Sequence, residues 1–86
     1  MSTKIDKPVS VVLASDSLTK KVLPTEITWN SRTYKISKLG LHYTYKSGTR
    51  LHHVFCVTSD SANFKITFDT VSLLWELEEV YDELSE

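Results

Sequence analysis

The chain has 86 residues, of which 41% are hydrophobic and 24% charged, with a formal net charge of -1. These values suit one small globular domain and exclude disorder over the whole length, and no apolar run approaches the roughly 18 residues of a membrane-spanning helix. Cys56 is the only cysteine, which excludes an internal disulfide.

The charge is unevenly spread. All ten Lys and Arg lie at or before Lys65, where only Asp6, Asp16, Glu26 and Asp60 oppose them. From Ile66 onward there are seven carboxylates and no base. Such a split reads as an acidic strand and tail neutralising a basic neighbour, or as a basic face offered to an anionic partner.

Residues 1–23 are rich in Ser, Thr and Lys and form an N-terminal segment, either flexible or contributing a short extra strand near 9–13. In that strand Val9, Val11 and Leu13 share a side. The apolar stretch 9–14 is too short for a secretory signal, so a cytoplasmic location without membrane contact is expected. Pro24 opens the β domain, expected over 24–81 and followed by an acidic tail at 82–86.

From Thr25 the alternation is regular. Ile27 and Trp29 share a face, and Asn30-Ser31-Arg32 supplies turn chemistry before Tyr34 and Ile36 resume. A long bent strand is expected over 33–45, with Gly40 marking a bulge or bend. A three-residue loop at Lys46-Ser47-Gly48 would set Tyr45 opposite Thr49. Leu39, Leu41, Tyr43 and Tyr45 would then share a surface with Leu51, His53, Phe55 and Val57. Strands at 51–58 and 63–69 follow, joined at Asp60-Ser61-Ala62. Asp69 and Thr70 close the next turn with their side chains. The final run at 73–81 fits a strand, and helical spacing is the competing reading.

The expected fold is all-β: a strongly bent antiparallel meander of five strands, or six with 9–13, forming a small, partly open barrel or SH3-like sheet. Its core would hold Ile27, Trp29, Tyr34, Ile36, Leu39, Leu41, Phe55, Val57, Phe64, Ile66, Phe68, Trp75 and Leu77.

Candidate chemistry is sparse. In the register above, His42 and His52 oppose each other with Cys56 on the same face, a set able to hold zinc or copper, although none of the common zinc spacings is present. Histidines in strands more often serve as packing partners, and Cys56 between Phe55 and Val57 reads as a small buried hydrophobe. No nucleophile elbow, phosphate-cradling loop or dinucleotide fingerprint occurs, so neither an enzyme nor a cofactor is expected. Arg32, Lys35, Lys38, Lys46 and Arg50 interleave with aromatic residues, as on small barrels that bind nucleic acid. Alternation, however, assigns Tyr34, Tyr43 and Trp29 to the core. The reading that remains is a non-enzymatic binding or assembly module, taking a protein partner or a second copy at an exposed strand edge. Nucleic-acid binding is the alternative, and weak metal binding a third.

The motifs Trp29-Asn30-Ser31-Arg32-Thr33-Tyr34, Gly40-Leu41-His42-Tyr43-Thr44-Tyr45, Leu51-His52-His53-Val54-Phe55, Phe68-Asp69-Thr70 and Leu74-Trp75-Glu76-Leu77-Glu78-Glu79 resemble a family of short, uncharacterised bacterial all-β proteins. The resemblance covers about residues 24–81 and implies the fold, with no activity attached. The Trp29, Arg32, Tyr34 turn is also similar to small β domains that accompany DNA-repair polymerases, which implies nucleic acid as a partner.

Overall fold

The computed structural model describes residues 2–60 and 62–82. Within them lie seven strands: β1 (Ser2–Asp16), β2 (Lys21–Trp29), β3 (Arg32–Lys35), β4 (Lys38–Ser47), β5 (Arg50–Thr58), β6 (Ala62–Asp69) and β7 (Trp75–Asp82). They form one antiparallel sheet in the order β3-β2-β1-β7-β6-β5-β4, which is not closed. The all-β, bent and partly open architecture agrees with the sequence, with seven strands instead of five or six. Residue 83 onward, most of the expected acidic tail, lies outside the described residues, as does Ser61.

The extra strands have clear causes. Residues 2–16 make a strand well beyond the expected 9–13, pairing with β7 through its first half and with β2 through its second. The expected long strand at 33–45 is divided at Ile36 and Ser37. Ile36 N donates to Thr25 O at 2.9 Å, whereas the next amide, Ser37 N, donates to Thr58 O at 2.8 Å. Two consecutive residues thus bond to strands near opposite ends of the sheet. That single crossing pins the sheet into a curl and leaves it open elsewhere.

Turn chemistry closes each hairpin. Asn30 and Ser31 both have positive φ (53° and 63°), the type I′ geometry that matches strand twist. Asp69 Oδ1 accepts from Val71 N at 2.8 Å, while Thr70 Oγ1 donates to Leu51 O at 2.8 Å and ties the β6–β7 turn to β5. Leu73 sits in that turn, and the final run is a strand from Trp75, not a helix.

The β4–β5 hairpin departs from the expected register. Its loop is the two residues Gly48-Thr49, with Ser47 opposite Arg50 and Tyr45 opposite His52. Gly48 takes φ 63° at the first loop position, which a two-residue turn of this kind requires. The loop is one residue shorter than expected, so it flips the side-chain parity of β4. A bulge at Gly40 flips it back, returning Leu39 opposite Val57. A Cβ on Gly40 would lie 3.3 Å from Cys56 O, so the bulge is tight there.

The inner face carries the core. Phe55, Ile66 and Leu77 form one cross-strand row and Val57, Phe64 and Val80 another. Ile27 packs onto them from β2, and Tyr34 from β3 places its ring 4.9 Å from that of Phe64. Each fully buried member contributes about 1.5–3 kcal/mol relative to exposure. Leu41 and Tyr43 are corrections to the expected core. Between the short loop and the bulge they face the opposite side, where both are exposed.

Candidate functional site

The curl leaves a gap on the inner face. The β3 ladder reaches back along β2 to Glu26, with one further bond from Ile36 N to Thr25 O, so among the described residues the part of β2 before Thr25 has β1 on one side and no strand on the other. β4 is the last strand at the other end of the sheet. Between these two ends lies an apolar opening of about 310 Å³. Leu13 and Val22 of the β1–β2 arm form one wall, and His42, His53 and Phe55 of β4–β5 the other. Phe68 and Trp75, from the strands in between, make its floor, with their rings 4.8 Å apart. The volume is at the lower limit of small-molecule sites, which suits one or two side chains better than a large cofactor.

The titratable groups lining this opening are the two imidazoles. His42 Nε2 and His53 Nδ1 are 2.9 Å apart, and the His42 ring lies 4.2 Å from Phe55, nearly parallel to it. Burial, and then the nearby His53, hold the His42 pKa below its ordinary 6.5. A neutral imidazole stacked on a phenyl ring keeps the wall predominantly apolar.

The outer face is mixed: Leu41, Tyr43 and Tyr45 are exposed on it, and its charged groups are mostly paired with one another. Lys65 lies 3.6 Å from Glu78 and 3.9 Å from Glu79, and the Thr67 hydroxyl donates to Glu78. Burial acts to lower the Lys65 pKa, but Glu78, Tyr43 and Glu79 outweigh it and leave the ammonium above its ordinary value. A second recess opens here, lined by Tyr45, His52, Asp69, Glu76 and Glu78 among others. Of its carboxylates, Asp69 is ion-paired with Arg50 and Glu78 is bonded to Thr67. His52 Nδ1 is buried there without a hydrogen-bond partner among the described residues, but the apolar opening gathers exposed apolar side chains and is the stronger candidate.

The residues singled out from sequence separate into several places. His42 faces the apolar opening with His53, whereas His52 stacks on Tyr45 on the outer face, at 4.8 Å. Cys56 is on the His52 side, opposite Leu41 and Lys65. The shifted register thus divides His42 from the other two. No group of three or more His, Cys, Asp or Glu side chains placed to share a metal ion occurs among the described residues. Of the basic set, Arg32 lies 5.2 Å over the Tyr34 ring and Lys35 is opposite Glu26, both on β3. Lys38 begins β4 and Lys46 is near its end, about 26 Å further along at strand rise. Arg50 is committed to Asp69.

Sequence reading missed the opening because its walls come from residues far apart in the chain. Val9 and Val11 pack against the core while Leu13 is exposed at the opening, and nothing local in the sequence sets Val22 across from His53. No helix long and apolar enough to cross a membrane occurs among the described residues. No protein family, curated protein or solved structure matches the chain.

Proposed function

We propose that this chain is a non-enzymatic protein-binding module that receives a partner's apolar side chains in the opening between the β1–β2 arm and β4–β5. The observation that carries this reading is the lining itself: Leu13, Val22, Phe55, Phe68 and Trp75 around a solvent-open gap, with Leu13 and Val22 markedly exposed. Apolar side chains gathered around an opening gain free energy when covered. Against an enzyme stands the chemistry of the one thiol, because burial pushes Cys56 above its ordinary value and away from the reactive thiolate. A single cysteine and no disulfide suit the reducing cytoplasm.

The test is selection of displayed random peptides on the immobilised chain. Binders are expected that Val22→Asp weakens at least about tenfold and Leu18→Asp, at the exposed hairpin tip, leaves unchanged. An empty selection, or binders indifferent to Val22→Asp, overturns the reading. If a labelled single-stranded oligonucleotide instead binds at low salt and is released by salt and by Arg32→Ala with Lys38→Ala, the nucleic-acid alternative replaces it.

A further inference from the structure

The opening is bordered by backbone as well as by side chains. β4 has a ladder partner on one edge only, so along its ten residues half of the peptide groups point away from β5. Across the gap, the stretch of β2 from Lys21 to Pro24 is likewise paired on one side only among the described residues, since Thr25 O already accepts from Ile36 N. Two half-satisfied strands therefore face a common apolar space, and no strand among the described residues joins them.

The charge around this gap is one-sided. No carboxylate occurs between Glu26 and Asp60 in the sequence, a span that includes β3, β4 and β5. β4 carries Lys38 and Lys46 near its two ends, and Lys21 begins β2. The carboxylate at the β1–β2 tip, Asp16, is occupied by the amides of Leu18 and Thr19. The acidic strand, β7, lies at the middle of the sheet, where Glu78 and Glu79 meet Lys65. Edge lysines repel a second copy pairing through the same strand, since antiparallel self-pairing about His42 would set Lys38 against Lys46. They attract a strand with carboxylates at its ends.

Resting on the protein-binding reading above, we infer that the partner is an extended acidic segment that inserts as an eighth strand along the free edge of β4 and completes the sheet towards β2. Its inward, alternate side chains are apolar and fill the space between Val22 and Phe55. Its carboxylates, about 26 Å apart in a nine-residue strand, meet Lys38 and Lys46.

The experiment uses the full chain and two displayed libraries of nine-residue segments. Both alternate Ser or Thr with Ile, Val, Leu, Phe or Trp; one has Glu at both ends and the other Lys. The Glu library is expected to enrich about tenfold or more over the Lys library at low salt, and Lys38→Glu with Lys46→Glu to reverse the preference. The best Glu-flanked peptide should slow hydrogen exchange at amides of β4 and of 21–25, and backbone N-methylation on its edge-facing side should abolish binding. Equal enrichment of the two libraries overturns the acidic partner. Binding that survives N-methylation and protects no β4 amide overturns strand insertion, while the reading of a protein-binding opening stands. A mass that doubles with concentration and is abolished by a β4 proline (Thr44→Pro) overturns it in favour of a second copy. Failure of both libraries overturns the inference even if random peptides bind elsewhere in the opening.

Discussion

His42 Nε2 lies 2.9 Å from Nδ1 of His53 across the β4–β5 ladder. One of these nitrogens donates and the other accepts, so the contact exists only while at least one ring is neutral.

Acidification is therefore expected to loosen this corner of the protein. The folded-state pKa of His42 is below its ordinary 6.5, through burial first and His53 second. Between the folded and unfolded values the unfolded chain binds more protons, so stability is full above about 6.5 and is lost as pH falls through that window. A thermal midpoint lower at pH 5.5 than at pH 7.5 should result, with a smaller drop in His42→Phe, which keeps the stacking on Phe55. An imidazole resonance for His42 that titrates at or above 6.5 contradicts the account.

Leu77 and Leu41 separate the two faces by stability. Leu77 is 0% exposed in the row with Ile66 and Phe55, so Leu77→Ala should cost about 2–5 kcal/mol. Leu41 is 54% exposed on the outer face, and Leu41→Ala should stay within about 0.5 kcal/mol. Urea unfolding of the two variants measures the difference directly. Equal losses would mean that the Gly40 bulge does not set the parity of β4.

Much of this arrangement was legible in the sequence because it is local. The alternation of Phe64 with Ile66 fixed the inner face of β6, and Asp69 announced the turn that its carboxylate closes. The division at Ile36 and Ser37 was not legible, since it depends on where Thr25 and Thr58 stand once the sheet has curled. Leu41 was misplaced for a different reason. A short loop and a bulge each shift parity by one, and a bulge or bend at Gly40 taken with a three-residue loop points the alternation to the wrong face. The long β1 was hidden by its polar start, where Lys4, Asp6 and Lys7 interrupt the apolar rhythm and Asp6 takes a positive φ of 50°. The opening follows from all of these at once, because it exists only where β3 stops short.

Ser31 offers a stabilising change. It holds φ 63° in the Asn30-Ser31 turn, a conformation that costs a non-glycine residue about 1–2 kcal/mol. Ser31→Gly gives the Asn-Gly pair preferred at type I′ turns and should raise stability by about 0.5–1 kcal/mol, or several degrees in thermal midpoint. Gly48→Ala, with φ 63° at the β4–β5 loop, should act in the opposite sense by a similar amount. A lowered midpoint for Ser31→Gly would show that the serine side chain holds the turn in some other way.

Cys56 reports on the outer face through its reactivity. Burial pushes its thiol above the ordinary value, Lys65 pulls it down, and Glu78 and Glu79 push it up again. At pH 7.5 alkylation by iodoacetamide should be slower than that of a free thiol such as glutathione, because the thiolate is the reacting species. Lys65→Met should slow it further, since the nearby positive charge is removed while the carboxylates remain. Glu78→Gln with Glu79→Gln should speed it. These two opposite shifts distinguish electrostatic control from simple shielding, under which each substitution would change the rate only as far as it uncovers the sulfur. A Lys65→Met variant that reacts faster would place access, not charge, in command of this thiol.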